Sequence, residues 1–553
     1  MKSYINRLFS VLCVGVLIGM ASCVGDLDVK PSDPNQDTAD KFAADPDTYL
    51  RQVMARCYSS LAVSSQGGES GSADLEGLDG GYSQYERALF MLNEFSTDEV
   101  KWIWPDEGVY DLNTNTAGTN NANIYGTYSR FFVHISVCNE FLRLVNNLGF
   151  YGIEPSAELQ ANIDQWKVEA RILRAYSYYN LLDLYGNVGF ITDEQEAGAR
   201  PVQTPRAELF AWLEKELIAC VDAMPATQPI YGRVGKDAAE ALLARLYLNA
   251  EVFAGTNRYA DCATRCQNII ARHQGGGYEG SGLAKNYLGL FAGTNDRYMP
   301  GGSNTAENEI LFGVPFESTN LRCWGATMFL EAAAYHKATW ESDGFQMDPL
   351  DYGLNASWQC MHATSALSDK FEANPEDLRW SMWCKEDRGF FKENTQFSAF
   401  NYGYAAIKFT NLNEEADGSL VAPASAPAFP DTDMPIIRLA DVYLMYAECA
   451  ARGNADQATG LKYANYVRGR AGVTAWTSLN LDNILDERAR ELYWENVRRT
   501  DLVRFGKYTG GVYNWPWKGG DVNGVAIPAH MNLYPIPSKV LADDNSFVQN
   551  PGY

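Results

Sequence analysis

Apolar residues recur three and four positions apart through several long stretches of the chain, and each stretch predicts an amphipathic helix. The pattern runs through "YSRFFVHISVCNEFLRLVNNLG" from Tyr128, "DQWKVEARILRAYSYYNLLDLYG" from Asp164, "RAELFAWLEKELIACVDAM" from Arg206 and "GKDAAEALLARLYLNAEVFAG" from Gly235. In the last of these, Leu242, Leu246 and Ala250 form one stripe, and Leu243 and Tyr247 widen it into a core-facing band. "YADCATRCQNIIARH" adds another helix, while Gly186 and Gly255 suit helix stops. A second block follows near the end, in "LADVYLMYAECAARG", "GLKYANYVRGRAG" and "LDNILDERARELYWENVRRTDLVRFG". Its last segment predicts one long helix.

The helices come in pairs of the size used in tetratricopeptide arrays, although their sequences are too divergent to define a period. Between the blocks the texture changes to Gly, Asn, Ser, Pro and Trp without sustained periodicity. The expected architecture is mostly α: a tetratricopeptide-like helical-repeat scaffold over residues 127–273 and 436–506, with long irregular loops over 64–126 and 274–435. Loops of that length in a compact protein usually carry function, so they are expected to form the ligand-binding face.

The stretch "STDEVKWIWPDEGVYDLNTN" opens one such loop. In a strand, Trp102 and Trp104 point to one side and Ile103 to the other, and Pro105 ends regular pairing. Two readings fit these rings: core packing, or a platform on which a ligand stacks.

Composition narrows the ligand. A net charge of −24 argues against nucleic acid or an anionic membrane surface gripped by charge. Aromatic residues make up 13% of the chain, with 13 Trp and 32 Tyr, which suits contacts that are partly apolar and partly hydrogen-bonded. Sugars present that mixture.

The first residues read as an export signal. Lys2 and Arg7 precede the short apolar run "LFSVLCVGVLIGM", and small residues lead into Cys23. This is the pattern of a lipoprotein leader spanning residues 1–22, after which Cys23 carries acyl chains and tethers the mature body, 23–553, to a membrane. Met20 stands where such signals more often carry leucine, and an ordinary secretory leader is the other reading. Of 11 cysteines, Cys13 lies in the leader and Cys23 at its end; the remaining nine are scattered without a framework pattern. Cys262 and Cys266 have no nearby histidine pair, which favours packing over metal binding.

Catalytic signatures are missing: no G-x-S-x-G, no G-x-x-x-x-G-K-[ST] and no H-E-x-x-H. "GGGYEG" matches G-x-G-x-x-G but follows a helix, outside any βαβ unit. The expectation is a binding protein, not an enzyme, with no required cofactor. Asp431 and Asp433 in "PDTD" have a spacing compatible with a structural Ca²⁺, or with solvated turn acids.

Five segments together carry a family resemblance: "CVGDLDV", "EARILRAYSYYNLLDLYG", "FPDTDMPIIRLADVYLMYAE", "ERARELYWENVRRTDLVRFGKY" and the close "YPIPSKVL" with "QNPGY". In this order they resemble the SusD/RagB family of surface glycan-binding lipoproteins, over nearly the whole mature chain. The resemblance implies a tetratricopeptide scaffold, a lipid anchor in the outer membrane with exposure at the cell surface, and a SusC-like TonB-dependent transporter as partner. It is strongest toward the starch-binding branch, and there it implies site residues. "LDGGYSQYERALFMLNEFSTDEVKWIW" brings Asp79, Arg87 and Trp104 to an α-glucan oligosaccharide, with Trp102 as a packing neighbour. "RCWGATMFL" and "WQCMHATSALSDKF" place Trp324 and Trp358 on the other two aromatic positions of a binding arc. Glu107 falls where the branch has a sugar-contacting asparagine, or Asp106 does if the loop shifts, and the span from Trp324 to Trp358 is longer than in that branch.

A pyranose ring has an apolar C–H face, which indoles shield, and a rim of hydroxyls, which Asp79, Arg87 and Glu107 can hydrogen-bond. Three rings in an arc follow the bend of an α-1,4-glucan, whereas a flat platform suits straight chains. Hydroxyls give up water on binding, so affinity is expected in the range of ~mM to ~μM. Asp79 with Arg87 also fits a loop ion pair, and Trp324 and Trp358 also fit core positions.

Overall fold

The computed structural model describes residues 39–553 apart from 66, 71, 76, 77, 228 and 338–346. The leader and Cys23 lie outside the described residues.

Helices pack in a relay. Pro46–Ala62 lies on Ala122–Asn146, which lies on Ala157–Leu184; Arg206–Ala223, Lys236–Leu248 and Tyr259–His273 follow in order. Tyr259–His273 then packs on Leu439–Ala451, and that on Gln457–Arg470. The array thus continues across an insertion of more than 160 residues as though it were absent. Local chemistry sets the ends. Asn121, Ser156 and Asp456 accept hydrogen bonds from the first-turn N–H groups of their helices, and Gly186 and Gly255 take the left-handed backbone just past helix ends, at φ 72° and 66°.

The strands pair in antiparallel twos. β1 (Val100–Trp102) pairs with β5 (Met361–Ala363), β2 (Val188–Phe190) with β3 (Val202–Thr204), β4 (Ile310–Val314) with β8 (Met434–Arg438), and β6 (Asn413–Glu414) with β7 (Leu420–Val421). The first pair decides the site, because β1 comes from the first irregular region and β5 from the second. The two insertions into the helical array meet there.

Three expectations are corrected. The irregular regions hold helices of their own, among them Tyr85–Asn93 and Ala326–Ala334, and every residue of both is buried. A helix covered on all sides has no polar face and so no period to read. Helix Ala122–Asn146 also begins inside the stretch assigned to loop. The single long helix expected near the end is broken into Leu481–Leu492 and Arg498–Arg504, with Trp494 and Asn496 at φ 63° and 62°. Distant partners take the backbone groups of the break. Lys408 Nζ donates to the Tyr493 carbonyl at 2.6 Å, Glu99 accepts from Trp494 N–H at 3.2 Å, and Glu94 accepts from Val497 N–H at 3.1 Å.

A charged lattice runs through the core beside this break. Arg438 binds Glu309, Glu491 and Glu495, Arg470 binds Glu309 and Glu491, and Arg379 binds Asp377, Glu487 and Glu491, all of them buried. Forked guanidinium to carboxylate pairing satisfies many donors at once, which burial of such charges requires. All nine cysteines among the described residues are free and buried. No helix among the described residues is long and apolar enough to cross a membrane.

Candidate functional site

The β1–β5 ladder places the first indoles. Trp102 opposes Met361, and Ile103 N–H extends the ladder by donating to the Cys360 carbonyl at 2.9 Å. Trp104 therefore emerges beside the segment that carries Trp358. Trp358 is tied in turn to the Ala326–Ala334 helix, its N–H donating to the Ala332 carbonyl at 2.6 Å. Trp102 is buried at 1% exposure against Phe95 and Phe329, and its Nε1 donates to Asp106 at 2.7 Å. Trp104 is half-buried and meets Trp102 edge to face at 5.9 Å. Pro105 follows, so the backbone leaves the ladder there.

A second convergence forms around Gly81. A Cβ at that position would lie 2.6 Å from Arg87 Nη1, 3.1 Å from Asp79 Oδ1 and 3.1 Å from Trp324 Cβ. The missing side chain at Gly81 leaves room for these three side chains to approach one another. Asp79 Oδ1 accepts from the N–H groups of Gly81 at 2.8 Å and Tyr82 at 3.4 Å, which closes the turn. Arg87 does not pair with Asp79; its Nη1 donates to the Trp324 carbonyl at 2.9 Å. Its guanidinium lies 4.1 Å from the Tyr82 ring centroid, 4.7 Å from Phe329 and 5.6 Å from Trp358. Arg87 Nε is buried without a partner. Gln84 completes the frame, its Oε1 accepting from Arg87 N–H and Ala326 N–H and its Nε2 donating to the Leu61 carbonyl.

Trp324 stands 39% exposed, the rest of its ring resting on Phe429 at 4.7 Å. Its centroid is 6.2 Å from that of half-buried Trp358, and the two planes are inclined by 39°. Adjacent indoles tilted in this way form a shallow angled surface with hydrogen-bonding groups behind it. Such a surface can take an apolar ring face and its flanking hydroxyls together.

The expected residues are thus brought together in part. Asp79, Arg87, Trp324 and Trp358 form one connected set, and Trp104 joins it through Trp102. Glu107 is exposed; the contact that fixes its position is made by its carbonyl, which accepts from Asn123 Nδ2 at 3.1 Å. Asp106, the other candidate for that role, is engaged by Trp102. Tyr82, Arg322 and Phe429 belong to the same neighbourhood; they lie inside segments that carry the family resemblance, but nothing in those segments singled them out as site residues. Burial pushes the Tyr82 hydroxyl above its ordinary range, so it remains a neutral phenol.

Both acids of the "PDTD" turn are engaged by the protein. Asp433 accepts from Phe316 N–H at 2.8 Å and from Tyr231 Oη at 2.6 Å, and Asp431 accepts from Ser318 N–H at 2.8 Å. These carboxylates hold protein donors, and no group of three or more His, Cys, Asp or Glu among the described residues could hold a metal ion.

Comparison with known proteins places this chain in a larger group. The model of the SusD family matches residues 255–553, and a second family model, described as starch-binding and associating with the outer membrane, matches residues 78–248. The starch-binding protein SusD of Bacteroides thetaiotaomicron is 30% identical, covering 100% of this chain and 99% of its own. A SusD-like protein of Bacteroides ovatus is 24% identical over 93% of this chain and 90% of its own. Among solved structures, a SusD homolog from Bacteroides thetaiotaomicron superposes with a TM-score of 0.67 at 17% identity, covering 92% of this chain and 97% of the other. The surface glycan-binding protein A of the same organism, solved with laminarihexaose, gives a TM-score of 0.65 at 17% identity, covering 91% and 99%. These structural likenesses bear on the fold.

Proposed function

The chain belongs to the SusD family, and on that premise we propose that it is a cell-surface lipoprotein that binds starch-like α-1,4-glucan oligosaccharides and passes them to a SusC-like TonB-dependent transporter. The observation that carries this reading is the set built around Gly81 and β1–β5: Asp79, Arg87 and Trp324 within reach of one glycine, and Trp324 inclined by 39° to Trp358. A bent glucan presents successive ring faces at an angle to one another, and inclined indoles meet them better than coplanar ones. Trp104, half-buried against Trp102, would extend that surface, and exposed Glu107 would offer an acceptor. The role is capture and not hydrolysis, so maltoheptaose incubated with the protein stays intact by chromatography. A lipid on Cys23 would hold the protein at the outer membrane, in keeping with a family model described as associating with it.

A second reading keeps the fold and role but changes the cargo to another polysaccharide or a peptide. It is favoured by the structural neighbour that holds laminarihexaose and by the acidic Glu107 in place of an amide. Calorimetric titration with maltoheptaose, α-cyclodextrin and laminarihexaose separates the two. Binding of the first two in preference to the third supports the α-1,4 reading, and the opposite order, or no binding of either, overturns it.

A further inference from the structure

Trp324 is the most exposed of the three indoles, yet it is held from several sides. Its Nε1 donates to the Glu69 carbonyl at 3.0 Å, and the Glu69 carboxylate meets Arg322 at 3.0 Å. Its ring leans on Phe429 with the planes 55° apart, and the Arg322 guanidinium lies 5.6 Å from the same Phe429 ring. Phe429 itself is buried at 7% exposure. An exposed side chain with this many restraints has lost much of the rotational freedom that a free surface indole keeps.

Phe429 belongs to the 427–433 segment, which is bonded to both indole-bearing loops. Asn355 N–H, three residues before Trp358, donates to the Pro427 carbonyl at 2.9 Å. Ser318 N–H, six residues before Trp324, donates to Asp431 at 2.8 Å, and Phe316 N–H donates to Asp433 at 2.8 Å. The segment fixes the spacing between the loops, and Phe429 provides the surface that stops Trp324 from turning. Trp358 has its own independent tether to the Ala326–Ala334 helix. The angle between the two indoles therefore depends on where Phe429 puts Trp324.

We infer that Phe429 is a positioning residue that sets the inclination of Trp324 to Trp358 and so selects strongly bent α-glucans over extended ones. The inference rests on the α-glucan reading of the site. Glu69 and Arg322 act with Phe429, and their pair orients more than it stabilises, because it is partly exposed. Replacing the flat ring by a smaller or branched side chain leaves Trp324 present but free to change its tilt. A flexible linear oligosaccharide can follow that change, whereas a closed ring of fixed curvature cannot.

The test compares α-cyclodextrin with linear maltoheptaose on Phe429→Leu, Phe429→Tyr and Arg322→Gln proteins, by calorimetric titration beside melting curves. Phe429→Leu is expected to weaken α-cyclodextrin about tenfold and maltoheptaose about threefold or less, on the scale of one misplaced anchor. Phe429→Tyr, which keeps the ring, should restore wild-type selectivity. Arg322→Gln, a surface change that spares the core, should shift selectivity in the same direction as Phe429→Leu and provides the test if the leucine variant does not fold. Near-UV circular dichroism reads the angle without any ligand, since neighbouring indoles couple: Phe429→Leu should alter the tryptophan signal that Trp358→Ala also removes. Equal losses for both ligands, or unchanged selectivity in folded variants, would overturn the inference. Failure of the wild-type protein to bind any α-glucan would instead overturn the functional reading, and the dichroism would still report whether Phe429 sets the angle.

Discussion

Arg87 donates through Nη1 to the main-chain carbonyl of Trp324 at 2.9 Å across 237 residues of sequence. The bond joins a well-buried cation to the most exposed indole of the proposed site, so the two insertions into the helical array are locked together there. Because the acceptor is a carbonyl, the contact fixes the loop without restricting the identity of the side chain that the loop displays.

Arg87→Met is expected to weaken glucan binding by about 1 to 3 kcal/mol while keeping the apolar packing of the side-chain stem. The loss comes from the missing donor to the Trp324 loop. Titration of the folded variant with maltoheptaose checks it, and binding at full strength would show that the loop holds its position without this bond.

The stability of the scaffold should carry an acid limit. Asp441 accepts from Arg245 at 2.8 Å and Arg488 at 2.7 Å; burial works against its charge, but the two guanidiniums outweigh it and hold the carboxyl down to about 2. The folded value lies below the ordinary aspartate value of about 4, so the stabilisation is present above that pH and is lost as pH falls through about 2. Asp441→Asn leaves both arginines short of a charge and should cost about 3 to 5 kcal/mol at neutral pH. It should also flatten the fall in stability between about pH 4 and pH 2. Urea unfolding of both proteins at neutral and acid pH measures this, and identical midpoints at neutral pH would contradict it.

What could be read from the sequence follows the exposure of each element. Tyr259–His273 has a wet face and a buried face, and its observed bounds coincide with the periodic stretch. Tyr85–Asn93 and Ala326–Ala334 are helices without a wet face, and their residues gave no alternation from which to find them. The break at 493–497 depends on Glu94, Glu99 and Lys408, which are remote in sequence, so no local pattern marks it. At the site, the tryptophans could be singled out because they fall on positions that match a family pattern. Phe429 also lies in a segment that carries the resemblance, yet nothing local marks it, because its importance lies in the ring it touches.

Membrane attachment is a separate claim with its own test. Cys23 is expected to carry the acyl chains, given the basic start, short apolar run and small residues before it. Cys23→Ala should abolish labelling with a palmitate analogue in the native host. Mild-detergent extraction of the wild-type protein should also recover a large β-barrel partner over a sizeable interface. Labelling that survives the substitution would refute the anchor, and recovery of the protein alone under several gentle conditions would count against the transporter complex.

The two tryptophans one residue apart should behave oppositely. Trp102 is buried against Phe95 and Phe329 and bonded to Asp106, so Trp102→Ala opens a cavity and should lower stability by about 3 to 5 kcal/mol. Trp104, turned out beyond the end of the ladder, and Trp358, on the facing segment, are both half-buried and keep ring surface available. Trp104→Ala and Trp358→Ala should each weaken maltoheptaose or α-cyclodextrin binding by about 2 kcal/mol, as expected of central anchors, with a smaller change in melting temperature than Trp102→Ala. Calorimetric titration and a melting curve for each variant give both readings on the same material. Full-strength binding by folded Trp104→Ala and Trp358→Ala proteins would remove the aromatic arc, and with it the case for an α-glucan ligand; a Trp102→Ala protein that melts like wild type but fails to bind would exchange the roles of the two rings.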